Sequence, residues 1–275
     1  MADEGTVRMF SSMTTRPLSV LTLALVAATV LPACAQQTQS KPRPEDTEVW
    51  TPVPKVVTPG ITSDVAPSDA IVLFDGHNLD EWIAANDGSP AKWTVASGVM
   101  TVNKPSGDIE TKRKFTDYQL HIEWKIPSDI TGKGQERGNS GVYLAMTDSG
   151  GYELQVMDSF ENPTYVNGQA ASMYKQYPPL VNAARKPGEW QTYDVVWTAP
   201  KFNTDGSVKS PAYVTAFWNG VLVQNHVPLK GFTLYIGKPF YRAHGAAPIL
   251  LQAHGDPSAP ISYRNIWVRS LEAGS

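Results

Sequence analysis

The sequence predicts one all-β domain, a sandwich or a barrel, that follows an export signal and a tether. Three observations favour this fold class. Short runs alternate between apolar and polar residues, turn residues separate the runs, and no long amphipathic helix is found among them. The 22 prolines and 21 glycines among 275 residues agree with many turns, and the length suits one large domain.

The amino-terminal region predicts export. Residues 1–35 read as a secretory signal, because Arg16 precedes an apolar segment, PLSVLTLALVAATVLPAC, that is short and interrupted for a membrane span. The end of this segment, Leu31–Cys34, resembles a bacterial lipobox with Cys34 as the lipidated residue. The alternative is ordinary cleavage at the Ala33-Cys34-Ala35 sequence. Both interpretations predict an exported protein, either periplasmic or anchored in the outer membrane by lipid.

A tether and a folded domain are predicted to follow the signal. Residues 36–68 are polar and proline-rich, which is typical of an extended segment with polyproline character. The domain is predicted at 69–272, and its strands lie in IVLF, KWTVASGVMTVN, DYQLHIEWKIP, GNSGVYLAM, GYELQVMD, EWQTYDVVWTA, AYVTAFWNGVLVQNHV and ILLQAHGDPSAPISYRNIWVRSL. Asn219-Gly220 predicts a two-residue hairpin turn. The long connection from Asn225 to Pro248 is of a length that often carries function.

The composition excludes several partners. The net charge of −3 and the lack of basic runs interleaved with aromatic residues argue against nucleic acid. A single cysteine excludes an intramolecular disulfide. No H-E-x-x-H motif or dense His/Asp cluster occurs, so we predict no metal or other cofactor, and a structural calcium ion has no support in the sequence. Membrane contact is expected only through a lipid at Cys34.

The strand YELQVMD carries the first candidate site residues. Its alternation places Glu153 and Gln155 on one face, and a one-residue bulge would bring Asp158 to the same face. The order resembles the E-x-D-x-x-E strand of laminarinase-type retaining glucanases, although Gln155 replaces the middle acid and Asp158 is short. Because a retaining glycosidase needs two carboxyl groups about 5–5.5 Å apart, we interpret this likeness as shared architecture.

Other strands contribute further polar residues. Glu123 and Lys125 alternate onto the polar face of their strand, as do Gln252 and His254. If one curved sheet buries its convex side, these groups share the concave side, where a mixture of carboxylates, amides and an imidazole suits a sugar. The alternative for each of these residues is a position on a solvent-exposed sheet face, where polar residues of antiparallel sheets ordinarily lie. Trp218 and Trp267 are predicted to be core residues, and Arg264 and Asn265 to fix the ends of the sheet.

Eight ordered segments resemble the 3-keto-disaccharide hydrolase domain family: LFDGHNLDEW, DYQLHIEWKI, GNSGVYL, GYELQVMDS, KPGEWQTYDVVW, FWNGVLVQNH, PILLQAHG and SYRNIWVRSL. They span residues 70–271. The resemblance implies a concanavalin-like jelly-roll β-sandwich of two antiparallel sheets. It also implies a glycoside substrate whose carbon 3 is already a ketone, cleaved by base-catalysed elimination followed by addition of water.

The resemblance also implies roles for the residues. Elimination needs a base near carbon 2, donors for the enolate oxygen and an acid for the leaving group. We assign the proton transfers to Glu153 and His254, without deciding which is the base, and an assisting role to Asp158. Substrate-binding roles are expected for the following residues: Glu123, Lys125, Asn139, Gln155, Tyr241, His244 and Gln252. Tyr241 and His244 lie in the long connection and are expected to close over the ligand or to pack as a surface crossover.

Two other function classes remain open at this stage. A non-catalytic carbohydrate-binding sandwich would use the same groove and aromatic residues. A conventional retaining glucanase ranks third. An assay on paired oxidised and unoxidised disaccharides separates all three.

The lipobox interpretation gives a first prediction. Radioactive palmitate should label the protein in a bacterial host, and Cys34→Ser should abolish the label. A soluble, unlabelled mature protein that begins at Gln36 would instead support ordinary cleavage.

Overall fold

The structure is a computed structural model that describes residues 41–62 and 64–271. The chain divides into two compact units at Pro54. In the first unit, the described residues 41–54 contain a 3₁₀ turn, Pro44–Thr47, and Arg43 forms an ion pair with Asp46. The second unit begins at Lys55 and contains all the strands of the described chain.

Fifteen strands are found in the described residues, and no α-helix accompanies them there. They are β1 (Ile71–Phe74), β2 (Trp82–Ala84), β3 (Thr94–Ala96), β4 (Val99–Thr101), β5 (Ile109–Thr111), β6 (Tyr118–Lys125), β7 (Ser140–Thr147), β8 (Gly150–Val156), β9 (Trp190–Thr198), β10 (Lys201–Phe202), β11 (Val208–Ser210), β12 (Tyr213–Trp218), β13 (Val221–Pro228), β14 (Leu250–Leu251) and β15 (Ser262–Ser270). Three further 3₁₀ turns lie at Lys104–Ser106, Gly134–Glu136 and Val166–Gly168.

Two antiparallel sheets form a β-sandwich, as the sequence predicts. The larger sheet has the order β13-β12-β9-β6-β15-β4-β3, with β1 also paired to β15. The smaller sheet has the order β2-β5-β14-β7-β8, and β10 and β11 form a separate two-stranded ribbon. Strands distant in sequence, such as β5 and β14, are thus neighbours in the smaller sheet.

The core lies between the two sheets and is built by period-two alternation. In β6 the buried side chains of Tyr118, Leu120, Ile122 and Trp124 belong to the same hydrophobic cluster as Leu154 of β8. The strand DYQLHIEWKIP therefore has the predicted orientation, with its apolar residues inward.

Several turn and core predictions are confirmed. Asn219 and Gly220 both have positive φ and connect β12 to β13 as a hairpin, with Trp218 paired to Val221. Trp218 is fully buried in the core. Trp267 is buried too, but it stacks on His121 with a ring distance of 5.2 Å.

A buried charged cluster lies on the outer face of the larger sheet. His121 Nδ1 lies 2.7 Å from Asp194 Oδ1, and Arg264 Nε donates to Glu123 Oε2 over 2.7 Å. Asn265 Nδ2 donates to Glu123 Oε1 over 2.9 Å. Burial alone would lower the pKa of His121, but its hydrogen bonds to Asp194 and Glu123 raise that pKa to about 9. The imidazole is therefore charged at neutral pH and, together with Arg264, balances the carboxylates of Asp194 and Glu123.

This cluster corrects one expectation about the site. Glu123 and Lys125 were expected to share a face with Gln252 and His254, but β6 and β14 belong to different sheets. Glu123 is held by Arg264, and the ammonium of Lys125 lies 4.8 Å from the centre of the Trp190 ring. Alternation correctly predicts that Glu123 and Lys125 point away from the core. The core, however, lies between their face of β6 and the smaller sheet.

The segment before β1 packs on the same outer face. Residues 55–68 belong to the second unit, and the carbonyl of Asp64 accepts hydrogen bonds from Asn265 Nδ2 and Trp267 Nε1. Cys34 and the predicted signal peptide lie outside the described residues. Within residues 41–62 and 64–271, no helix is long and apolar enough to cross a bilayer.

The His121 cluster predicts a pH-dependent stability. Because the folded pKa of His121 is raised above its unfolded value, its contribution is fully present below pH 6.5 and is lost as the pH rises through about 9. His121→Gln should lower the free energy of unfolding by on the order of 1–3 kcal/mol at pH 6, and the deficit should shrink by pH 9.5. Urea unfolding measures this, with exposed His77→Gln as the control. A deficit that is constant with pH would contradict the role of the imidazole charge.

Candidate active site

Two rows of side chains cross the outer face of the smaller sheet. In the first row, Glu110 pairs with Leu250, Leu250 with Tyr143, and Tyr143 with Glu153. The second row runs from Gln252, whose N–H donates to the carbonyl of Gly141, to Gln155, which pairs with Gly141. Because residues two apart in a strand share a face, Glu153 and Gln155 lie together on this surface.

A cavity of about 180 Å³ opens above these rows. Its lining combines amides, hydroxyls, one carboxyl and one imidazole: Asn139, Tyr143, Glu153, Gln155, Tyr174, Thr233, Tyr235, Gln252 and His254. We call this the inner cavity. Five of the residues predicted to form the site, Glu153, His254, Asn139, Gln155 and Gln252, therefore meet in one place. The face that carries Gln252 and His254 is polar because it forms one wall of this cavity.

Glu153 is almost fully buried in the inner cavity. Burial raises its pKa to about 8, the hydrogen bond from Tyr143 Oη to Oε2 (3.3 Å) opposes this rise, and the charge of Asp108 adds to it. The carboxyl has room because its diagonal neighbour on β7 is Gly141, where a Cβ would lie only 2.7 Å from Glu153 Oε1. A carboxyl with this pKa can hold or accept a proton near neutral pH.

The amide of Gln155 connects Glu153 to Asn139. In one orientation its Nε2 lies 3.3 Å from Asn139 Oδ1; in the other, the nitrogen donates to Glu153 Oε1 over 2.9 Å and to the carbonyl of Ser140 over 3.0 Å. Amide orientation is assigned from the hydrogen-bond network, and the second orientation is the better one here. In the first, the amide oxygen would face the carbonyl oxygen of Ser140, so two acceptors would meet. In the second, the amide donates to Glu153 and suits its ionised form.

His254 forms a pair with Asp256 at the rim. Its Nδ1 lies 3.2 Å from Asp256 Oδ2 and 3.1 Å from the backbone nitrogen of Asp256. Nδ1 accepts from that N–H when it carries no proton and donates to the carboxylate when it carries one, and in both cases Nε2 is left for a ligand. Burial would raise the pKa of Asp256, but hydrogen bonds from His254, Ser258 and Lys104 lower it to about 2. The resulting carboxylate orients the ring and stabilises an imidazolium if one forms.

Two amides supply further polar groups. Gln252 Oε1 is buried and has no hydrogen-bond partner in the described protein, while its Nε2 reaches Tyr143 Oη only weakly, over 3.5 Å. Asn139 Nδ2 is held by the carbonyl of Gln135 over 2.8 Å. An orphaned buried acceptor in a cavity is satisfied when a hydroxyl-bearing ligand binds.

The expected bulge that would bring Asp158 into the row is not found. Register between β7 and β8 is continuous from Tyr143–Glu153 to Ser140–Val156, and β8 ends at Val156. Asp158 lies beyond the strand, with Oδ2 2.6 Å from Arg137 Nε, and does not line the inner cavity. The irregularity in this pair falls between Tyr143 and Met146 of β7 instead.

Tyr241 and His244 do not line the inner cavity either. The hydroxyl of Tyr241 donates to the carbonyl of Leu229 over 2.8 Å and accepts from the N–H of Ala212 over 2.9 Å. His244 Nε2 lies 3.0 Å from the hydroxyl of Tyr152. These contacts fasten the long connection to the sandwich. The residues of that connection that reach the inner cavity are Thr233 and Tyr235.

Sequence reasoning missed several residues of the site. Tyr143 had a usable signal, because alternation in GVYLAM places it on the face opposite Val142 and Leu144. Asp256 follows His254 by two positions in a turn, the spacing at which an Asp side chain commonly contacts local backbone. Tyr174, Thr233 and Tyr235 lie outside the strands and had no such signal. In the described residues, no group of three or more His, Cys, Asp or Glu side chains could hold a metal ion.

Comparisons with known proteins identify the family and the fold of this chain. Residues 69–269 match the family described as the 3-keto-alpha-glucoside-1,2-lyase-like domain. A 3-keto-disaccharide hydrolase of Bacteroides thetaiotaomicron is 30% identical over 248 residues, which cover 75% of this chain and 81% of that protein.

Solved structures from Parabacteroides distasonis ATCC 8503 are also similar. One, provisionally assigned as a glycosyl hydrolase, is 54% identical, with a TM-score of 0.78 over 83% of this chain and 97% of the other. A second with the same assignment is 20% identical, with a TM-score of 0.54 over 74% of this chain and 94% of the other, and supports the fold alone.

The burial of Glu153 predicts a pH dependence of the same sign as that of His121, in a lower pH window. Because its folded pKa lies above its unfolded value, the wild-type protein should lose stability relative to Glu153→Gln as the pH rises from 4.5 to about 8. The expected slope is at most about 1.4 kcal/mol per pH unit. Chemical unfolding at several pH values measures it, and exposed Glu189→Gln is the control. Parallel curves for wild type and Glu153→Gln would show that the carboxyl is ionised in the folded protein.

Proposed function

Because the chain belongs to the 3-keto-alpha-glucoside-1,2-lyase-like family, a family of carbohydrate hydrolases, we propose that it is an exported enzyme that cleaves 3-keto-glycosides, 3-keto-disaccharides among them. The observation that carries this proposal is Glu153, a nearly buried carboxyl with a pKa raised to about 8 in a polar cavity beside His254. Such a carboxyl is suited to proton transfer from carbon near neutral pH.

The proposed reaction proceeds by elimination and hydration. A ketone at carbon 3 acidifies the hydrogen on carbon 2, and a base removes that proton. The resulting enolate expels the oxygen on carbon 1, so that a double bond forms between carbons 1 and 2 while the leaving oxygen takes a proton. Water then adds its hydroxyl to carbon 1 and a proton to carbon 2, which gives the free 3-keto-sugar. The net change is hydrolysis.

We assign the base to Glu153. Its raised pKa makes the ionised carboxylate a stronger base than an exposed one, and its place in the cavity wall puts it against a bound sugar ring. The amide nitrogen of Gln155, in the orientation that satisfies its neighbours, donates to Glu153 Oε1 over 2.9 Å. Gln155 therefore positions the ionised Glu153.

We assign the acid to His254. Asp256 is ionised and buried, and it holds Nδ1, so a protonated imidazole can donate from Nε2 to the leaving oxygen. Gln252 and Asn139 are left to bind hydroxyls and to donate to the enolate oxygen. No step requires a second carboxylate beside Glu153.

The requirement for a ketone is the central prediction. A 3-keto-disaccharide should be cleaved, while the same disaccharide with a hydroxyl at carbon 3 should be inert even if it binds. In deuterated water, the released keto-sugar should carry deuterium on carbon 2, measured by mass spectrometry and NMR. Glu153→Gln should lower kcat/KM by about 10²–10⁴-fold, the usual cost of removing a general base, while sugar affinity is retained.

Free keto-sugar in the same deuterated buffer is the control for background exchange. Equal cleavage of both disaccharides, without deuterium linked to cleavage, would rule out elimination. Sugar binding by a wild-type protein that turns over neither substrate would identify a binding module instead. Full activity in Glu153→Gln would transfer the base role to His254, for which His254→Gln is the matching variant.

A further inference from the structure

A second cavity, which we call the outer pocket, lies beside the inner cavity. Its volume is about 400 Å³, and it shares four lining residues with the inner cavity: Asn139, Tyr174, Tyr235 and His254. The inner cavity is smaller than the roughly 300–1,000 Å³ of sites for drug-sized ligands, so it has room for one sugar ring only. A disaccharide bound there must extend into a neighbouring space.

The outer pocket has an aromatic wall. The hydroxyls of Tyr165 and Tyr174 lie 2.6 Å apart, and Lys175 Nζ lies 4.6 Å from the centre of the Tyr165 ring and 5.0 Å from that of Tyr235. The ammonium thus holds together three rings from two separate loops. Tyr235 is 72% exposed and Tyr165 is 38% exposed, so both retain surface for a ligand.

The backbone supports this wall closely. The N–H of Tyr174 donates to the carbonyl of Glu153 over 3.0 Å, which ties the wall to β8. Lys175 has a φ of +62°, a left-handed conformation that costs free energy for a residue with a side chain. Gly168 leaves space for Tyr165, because a Cβ at that position would lie 1.8 Å from the tyrosine ring.

We propose that the outer pocket is the leaving-group subsite and that it takes a six-membered ring stacked on Tyr165 and Tyr235. This proposal deepens the proposed function and rests on it. His254 lies at the junction of the two cavities, where an acid must be placed to donate to the oxygen between two rings. Tyrosine faces offer an apolar surface to a pyranose or to an aromatic aglycone.

The other large groove is a poorer candidate. It measures about 730 Å³ and is lined by Asp108, Glu110, Lys114, Asp148 and His244 among others, yet it shares no lining residue with the inner cavity. A ring bound there would not meet His254. The bond that is cleaved therefore lies between the inner cavity and the outer pocket.

The test compares three substrates that share the 3-keto ring: a 3-keto-disaccharide, a phenyl 3-keto-glucoside and a methyl 3-keto-glucoside. Tyr165 lines the outer pocket but not the inner cavity. Tyr165→Ala should therefore lower kcat/KM about 3- to 10-fold, mainly through KM, for the disaccharide and the phenyl glucoside, whose leaving groups are rings. The methyl glucoside should change by less than twofold. Tyr165→Phe keeps the ring and should restore KM, and exposed Val166→Ala is the control.

The remaining outcomes separate this proposal from the proposed function. A loss only with the disaccharide would assign the pocket to a sugar ring, and a loss only with the phenyl glucoside to an aromatic aglycone; both support a ring subsite. An equal loss with all three substrates, or none, would overturn it. If wild-type protein cleaves none of them, the reaction is wrong, and calorimetry then decides the subsite: Tyr165→Ala must weaken disaccharide binding and leave methyl glucoside binding unchanged.

Discussion

The candidate site depends on the close approach of the Glu153 carboxyl to Gly141 of the neighbouring strand. Any side chain at Gly141 would meet Oε1 at 2.7 Å and push the carboxyl out of its place. Buried there, the carboxyl loses hydration, and this loss is the main cause of its raised pKa. The Tyr143 hydroxyl and the Gln155 amide, one from each strand, are then the polar groups that donate to the carboxyl oxygens. The place of this carboxyl thus depends on the missing Cβ of Gly141.

The two outer faces of the sandwich use buried charge differently. His121 on the larger sheet is matched by Asp194 and Glu123, so burial and charge balance keep the imidazolium in a fixed network. Glu153 on the smaller sheet has no cation among the lining residues of the inner cavity apart from His254, if that ring is protonated. A balanced cluster stabilises the fold, while an unbalanced carboxyl lowers stability and is available for reaction. The difference separates a structural cluster from a candidate site.

The sequence predicts local patterns here far better than their assembly. Alternation oriented β6 and β8 correctly and placed Glu153 beside Gln155, because side-chain direction in a strand is a local property. It could not tell that Glu123 belongs to the opposite outer face, since strand order depends on pairing between distant segments. Asp158 was misplaced because β8 ends at Val156, so alternation no longer sets the direction of its side chain, which pairs with Arg137. Tyr174 and Tyr235 reach the cavity only through loop packing, which leaves no periodic signal.

The number of carboxyl groups in the cavity bears on the reaction class. A retaining glycosidase needs two carboxyls about 5–5.5 Å apart, one as nucleophile and one as acid. Among the described residues that line the inner cavity, Glu153 is the one carboxyl, and Asp158, the second acid of the glucanase hypothesis, pairs with Arg137 elsewhere. A single carboxyl with a nearby imidazole does not provide the nucleophile and acid pair that a retaining glycosidase uses on an unactivated glycoside. It is sufficient for elimination when the substrate itself supplies the activation, through a ketone that acidifies the neighbouring hydrogen. In the proposed reaction, the activation that the site does not provide is supplied by the ketone of the substrate.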